Sequence, residues 1–330
     1  MPQTIIPLEL TLAIVQAYFV VVPRRPHIAI IGPGKVGLAL AALAARAGYD
    51  ATLGARNVRQ SRSRARRVLP GAKVATASYA AAAGDVVLLT VSDSSIKAVC
   101  DELAQSGSLR SGSIVAHCCG ALGSEVLASA DRCGCRVASM HPLQTFPSAQ
   151  AAIAAMPGTF FFCEGDSRAL RALRTIVRNI GGRPIGLAKF LDEAAAMRAK
   201  AAYHAAACIA SNYMVALMDA AMATAELAGL DRRTAWKALS KLVHATLDNI
   251  DALGPAAALT GPISRGDAQT VARHVDALGG HGDLLELYRV MGRWTLDVTR
   301  RKGTVSPTAA VKLASTLRRA RRTPRVAPRS

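Results

Sequence analysis

Four short stretches of this 330-residue chain carry side chains that could move a proton or hold a charged ligand. At about 100° per residue, Lys200, His204, Ala207 and Ser211 fall within about 60° of one another if residues 187–228 are helical. A lysine, a histidine and a serine on one face of a helix otherwise rich in Ala, Met, Ile and Cys must be solvated, paired or functional. Facing solvent, they are ordinary surface. Lining a cleft, Lys200 or His204 exchanges a proton with a substrate oxygen or nitrogen. Tyr203 and Asn212 flank that sector and are placed to orient a substrate, with Ser211. The second stretch is His141-Pro142-Leu143-Gln144-Thr145-Phe146, and the third is His117-Cys118-Cys119-Gly120-Ala121, in which Gly120 permits close backbone approach. In the fourth, Gly261-Pro262-Ile263-Ser264-Arg265-Gly266-Asp267, Arg265 sits between turn glycines and suits an anionic substrate or a phosphate, while Asp267 is placed to cap the next helix.

These groups need something to react with, and the chain offers it earlier. His27-Ile28-Ala29-Ile30-Ile31 is a strand pattern that runs straight into Gly32-Pro33-Gly34-Lys35-Val36-Gly37 and then an alanine-rich helical pattern. Gly32 allows the tight turn, Gly34 lets a pyrophosphate touch the backbone, and Gly37 lets the helix pack on the strand. The helix N-terminus then presents free N–H groups and the positive end of its dipole to the phosphates. The spacing predicts a dinucleotide site. Asp50 comes too early in the second strand to bind ribose hydroxyls, whereas Arg56, with Asn57, stands where a guanidinium meets a 2′-phosphate. NADP is therefore expected over NAD. After the fourth strand, Val91, Ser92 and Ile96 are expected to brace the cofactor, and His117 at the end of the fifth to touch it.

The elements that must position these residues read as α/β: a Rossmann-type, doubly wound and mostly parallel sheet followed by an all-helical domain. Strands are expected near residues 27–31, 49–54, 74, 85–91, 113–117, 136–140, 159–163 and 184–187. Residues 187–228 contain neither glycine nor proline and are long enough for one unusually long helix, about 60 Å if unbroken, stopped by Gly229. Further helices are expected at 232–252, 268–278, 284–301 and from Ser306-Pro307 onward. The expected division is an extension over 1–25, a dinucleotide-binding domain over 26–187, a helical substrate and dimerisation domain over 188–315, and a basic, disordered tail over 316–330.

The net charge of +19 invites a polyanion partner, but it is concentrated in residues 56–67 and 312–329. Aromatics are 4% of the chain and no stacking platform accompanies the arginines, so no specific nucleic-acid partner is expected. No apolar run reaches the length of a membrane span, the longest being residues 12–22, so no membrane is expected either. Seven cysteines without framework spacing fit a reducing cytoplasm. A metal is not expected: Cys118 and Cys119 would point to opposite faces of a strand, and Cys133-x-Cys135 lacks the two-residue gap of a zinc knuckle.

Taken in order, the glycine loop, His117-Cys118-Cys119-Gly120-Ala121, His141-Pro142-Leu143-Gln144-Thr145-Phe146, Lys200-Ala201-Ala202-Tyr203-His204 with Ala210-Ser211-Asn212, and the Gly261–Asp267 turn resemble one family. It comprises Rossmann-like oxidoreductases that carry the domain of unknown function 2520, similar in fold to 6-phosphogluconate and 3-hydroxyisobutyrate dehydrogenases, pyrroline-5-carboxylate reductase and F420-dependent NADP reductases. The resemblance spans residues 26–290 and implies a nicotinamide cofactor, a small-molecule substrate and a homodimer built through the helical domains. His141-Pro142 also resembles the His-Pro element of prephenate dehydrogenases, which implies a catalytic His141 beside Lys200 and His204. Cys119 departs from the serine expected in the family, and Cys119, Gly120, Gln144, Ser211, Asn212 and Arg265 are the implied substrate contacts. The expected activity is an NADP-dependent hydride transfer with a small, anionic carbonyl, hydroxyl or imine compound. The alternative is a non-catalytic NADP-binding sensor acting through its helical domain.

Overall fold

The computed structural model describes residues 24–186 and 193–318, so most of the expected extension and tail lies outside the described residues. Eight strands among them form one sheet: β1 (Ile28–Ile31), β2 (Ala51–Ala55), β3 (Lys73–Thr76), β4 (Val86–Leu89), β5 (Ile114–His117), β6 (Arg136–Pro142), β7 (Phe160–Gly165) and β8 (Arg183–Gly186). Their order is β3-β2-β1-β4-β5-β6-β7-β8. All eight lie where the sequence placed strands, most of them as short apolar runs, although β3 (Lys-Val-Ala-Thr) showed only through Val74. Successive side chains of a strand face opposite ways, so Ile28 and Ile30 enter one core while Ala29 and Ile31 enter the other. Both faces are covered by helices: α1 (Lys35–Arg46), α2 (Val58–Arg66), α3 (Ala77–Ala83), α4 (Ile96–Gln105), α5 (Ala128–Arg132), α6 (Ala149–Ala155) and α7 (Ser167–Asn179). The chain runs outward from β1 in both directions, so the loops after β1 and β4 part and leave a crevice at the carboxyl edge.

One strand pair breaks the parallel rule. β7 runs antiparallel to β6, with Ser139 opposite Glu164 and His141 opposite Phe162. Alternate residues share a face, so these four project together, while Met140 and Cys163 are buried on the other side.

The expected single long helix is two. α8 (Glu193–Ala210) ends at a turn on Ser211, and α9 (Asn212–Glu226) begins at once. Serine and asparagine bond competitively to nearby backbone, which suits a break better than a helix interior. The chain's contacts divide at this point, into a unit ending at Ser211 and one beginning at Asn212. By these contacts α8 falls in the first unit.

The second unit continues with α10 (Arg232–Ala258), α11 (Ala268–Ala277), α12 (Gly282–Lys302) and α13 (Pro307–Arg318). α10 runs past the expected end through a kink at Gly254, whose φ of +76° a side chain would oppose, followed by Pro255. Asp267 caps α11 as expected, accepting from Thr270 N–H at 2.9 Å. Ile263, Val271, Leu296, Leu313 and Leu317 form this unit's core. By length and composition the 33-residue stretch Ala194–Glu226 is apolar enough to cross a membrane. Arg198, Lys200 and Asp219 interrupt it, so it is not a continuous apolar run.

Candidate active site

The glycine turn after β1 has the geometry of a phosphate cradle. Gly32 has φ +99° and a Cβ there would press on Val91 at 2.8 Å. Gly37 is closed from below: a Cβ would collide with Gly32 O and Thr90 Oγ1. Gly34 is open, with nothing within 4 Å of a Cβ. It is the N-cap of α1 and no side chain caps that helix, so the first-turn N–H groups remain available at the positive end of the dipole. Thr90 fastens the turn to β4, donating to Gly32 O at 2.7 Å. Pro33 and Val36 are half-buried, whereas Lys35 is exposed on the first turn. Arg56 is exposed at the end of β2 and makes no ion pair or hydrogen bond among the described residues. A dinucleotide fits: the turn supplies an open backbone, free donors and a nearby unpaired guanidinium.

Several expected cofactor contacts do other work. Ile96 is fully buried among Leu89, Cys100 and Leu103, so it offers no surface to a ligand. His117 is also fully buried; its Nε2 meets Gly123 O at 3.0 Å and its Nδ1 accepts from Cys119 N–H at 3.2 Å. Burial, then the Lys200 charge, pushes the His117 imidazole down to about 4. It staples a loop rather than touching a cofactor. Asn57 caps α2 through Gln60 N–H at 2.9 Å, which occupies its carbonyl. Val91 lies against the glycine turn, and Ser92 is exposed beside it, sharing a 2.7 Å hydrogen bond with Ser95.

A cluster of rings gathers beside Gly120, on the loop after β5. A Cβ on Gly120 would press on His204 Nδ1 and lie 2.8 Å from His141 Cε1 and 2.9 Å from His141 Nε2, so glycine is required by the approach of two imidazoles. The two rings stand edge to face, 5.6 Å apart. His141 Nδ1 and Tyr203 Oη share a 2.9 Å hydrogen bond, and Tyr203 rests on Phe162 at 3.6 Å between centroids. Burial and then the neighbouring His204 and Lys200 push His141 down to about 4, and burial pushes the Tyr203 hydroxyl up. Tyr203 therefore keeps its proton; with its hydroxyl as the donor to Nδ1, the His141 proton sits on Nε2, above Gly120. His204 Nδ1 is buried and finds no partner among the described residues.

Behind these rings lies the residue on which sequence reasoning placed proton transfer. The Lys200 side chain is 3% exposed, and its ammonium donates to Glu164 Oε1 at 2.9 Å and to Ser139 Oγ. Ser124 donates to the other carboxylate oxygen at 2.9 Å. A cation so enclosed is not open to a substrate, which corrects Lys200 as a proton donor. Cys119 and Gln144 are engaged within their own loops. The Cys119 thiol, raised by burial, accepts from Ala121 and Leu122 N–H at 3.3 Å and holds the loop. Gln144 donates to Ala155 O and Thr159 and accepts from Thr145 N–H, so it secures its own loop. Ser211 and Asn212 sit at the helix break and Arg265 in the second unit; none of the three side chains has a hydrogen-bond partner among the described residues.

Sequence reasoning missed Glu164, Ser139, Phe162 and Thr90. A lone acid closing the run Phe160-Phe161-Phe162-Cys163 was a signal for Glu164, and the two-residue spacing from His141 was one for Ser139. Neither could be used without knowing that β7 pairs antiparallel.

In comparisons with known proteins, none of the curated ones matches this sequence. Among solved structures, a Thermotoga maritima protein is 26% identical over 84% of this chain and 99% of its own, with a TM-score of 0.63. A Bacteroides fragilis protein described as an NADP oxidoreductase shares 18% identity over 83% of this chain and 99% of its own, with a TM-score of 0.65. An imine reductase from a Pseudomonas species shares 20% over 89% and 93%, with a TM-score of 0.53. Residues 16–142 match a Rossmann-like domain and residues 159–295 match the domain of unknown function DUF2520. The chain thus carries a Rossmann-like domain followed by a DUF2520 domain.

Proposed function

We propose that this protein is an NADP-dependent oxidoreductase acting on a small carbonyl, hydroxyl or imine compound. The observation that carries the reading is the placing of an open glycine cradle and a Tyr203-oriented His141 at the carboxyl edge of one sheet. A nicotinamide dinucleotide held by residues 32–37, Val91, Ser92 and Arg56 supplies a hydride when bound. His141 Nε2–H then polarises the substrate oxygen or nitrogen as a neutral hydrogen-bond donor. Tyr203 fixes the tautomer, and His204 closes the other side of Gly120. An anionic substrate needs a free cation. Lys200 is already paired; Arg265, in the second unit, is exposed and has no ion-pair partner among the described residues. The similarity in fold to an NADP oxidoreductase and to imine reductases supports the reading.

The chain is further proposed to act as a homodimer through its second unit, in the cytoplasm. α9 buries no residue within the chain, and Tyr213, Val215, Leu242, Leu253 and Trp294 are all more than half exposed. So much apolar surface on a helical unit suits a second copy. All seven cysteines are free thiols.

The deciding experiment is a fluorescence titration with NADPH, NADH and reduced F420. NADPH is expected to bind tighter than NADH, and Arg56→Ala to weaken NADPH by about ten- to a hundredfold while sparing NADH, the size of one charge-assisted phosphate contact. Bound NADPH should then be oxidised by a member of a keto-acid or cyclic-imine panel. Failure of all three ligands to bind would reject the enzyme reading in favour of an interaction role.

A further inference from the structure

α8 is held on the sheet in an unusual way. Among its residues whose burial is described, Lys200 alone is buried; the rest, mostly alanine, are exposed or half-buried. An apolar stripe would let such a helix slide or turn by small steps, because dispersion contacts carry no direction. A buried ion pair does not, because moving either charge strands the other. Lys200 has two partners that the antiparallel register fixes side by side, Ser139 on β6 and Glu164 on β7. One step further along the same face of that ribbon come His141 and Phe162, and three residues further along α8 comes Tyr203. The two contacts therefore form consecutive rungs: Lys200 on Ser139 and Glu164, then Tyr203 on His141 and Phe162.

Taking His141 and Tyr203 as the substrate-facing pair of the function proposed above, we propose that Glu164 is a positioning residue. By holding the Lys200 ammonium against the β6–β7 ribbon, it fixes the register in which α8 presents Tyr203 to His141. Ser124 steadies the carboxylate from the other side at 2.9 Å, leaving Oε1 for the lysine. Glu164 touches neither ring; it acts through Lys200.

The test reads the two rungs separately, in the full-length protein. Histidine ring nitrogens are labelled with 15N, and the His141 signals, assigned by their loss in His141→Gln, are followed through a pH titration. The charged and titratable groups around His141 are Tyr203, His204 and Lys200 from α8, Asp93 from the loop after β4, His117 from β5, and Glu164 beyond Lys200. In the wild type His141 should show a hydrogen-bonded Nδ1 and titrate far below ordinary histidine. Glu164→Ala and Lys200→Met should each abolish the Nδ1 hydrogen-bond signature and move the midpoint upward, toward the ordinary range. The double variant should do no more than the stronger single one, because the pair acts as a unit. Tyr203→Phe should lose the same signature with Glu164 and Lys200 intact. Lys200→Met keeps the volume and leaves no buried cation, so it remains informative if Glu164→Ala does not fold. Wild-type His141 signals and midpoint in either folded variant would overturn the proposal, as would additive effects in the double. NADPH binding to the wild type, measured alongside, tests the oxidoreductase reading by itself: its absence would sink that reading and leave the register test standing.

Discussion

Acid should destabilise this protein from pH 6.5 downward, starting well above the range in which ordinary carboxylates titrate. His117 and His141 are both held down to about 4 from an ordinary 6.5, chiefly by burial, with the Lys200 cation adding to both. Each imidazole thus resists protonation in the fold by about two and a half pH units, on the order of 3 kcal/mol. Because folding lowers their proton affinity, the unfolded chain binds more protons between these values. Stability present in full above pH 6.5 is therefore lost as pH falls toward 4. The slope approaches about 1.4 kcal/mol per pH unit for each histidine at the middle of that window. Two such groups would remove an appreciable part of the roughly 5–15 kcal/mol typical of a domain. Asp85 and Asp166 are lowered from 3.8 by backbone hydrogen bonds and so lose their contribution only below this range. Urea unfolding at fixed temperature across pH 7.5 to 4.5, monitored by circular dichroism, measures the slope. His141→Gln should remove about half of it. A flat stability between pH 6.5 and 4.5, or a slope untouched by His141→Gln, would refute the burial argument.

The two glycines of the cradle should separate folding from binding. Gly37→Ala collides with Gly32 O and Thr90 Oγ1 and should lower the melting temperature, whereas Gly34→Ala meets nothing within 4 Å and should melt like wild type but lose NADPH binding in the same titration. Gly120→Ala drives a methyl into His204 and His141; overpacking of this kind costs about 1–3 kcal/mol, and the His141 ring signals should shift with it. Once a substrate is found, His141→Gln should lower turnover by about 10²- to 10⁴-fold with NADPH affinity unchanged, and Tyr203→Phe by less, because the imidazole remains but its tautomer is free. Unchanged turnover in His141→Gln would remove that residue from the chemistry.

What the sequence determined by itself was local. Glycine spacing after a β-branched run is a backbone requirement: Gly32 makes the turn at φ +99°, Gly37 packs too closely for a Cβ, and Gly34 is open. Most of the eight strands were legible because they are short apolar runs bounded by turn residues, and the cap at Asp267 because one side chain serves an amide three residues on. His141 and His204 were visible as residue types, and the structure brought them together at Gly120. What only the tertiary structure decided was which polar side chain faces which. Lys200 read as a proton donor until Glu164, 36 residues away, was found enclosing it. His117 and Ile96 read as ligand contacts until burial placed them inside the packed fold. The physical reason is common to these cases. A side chain's chemistry depends on its partner and its access to water, and strand pairing, above all the antiparallel β6–β7 register, brings those partners from distant points in the chain.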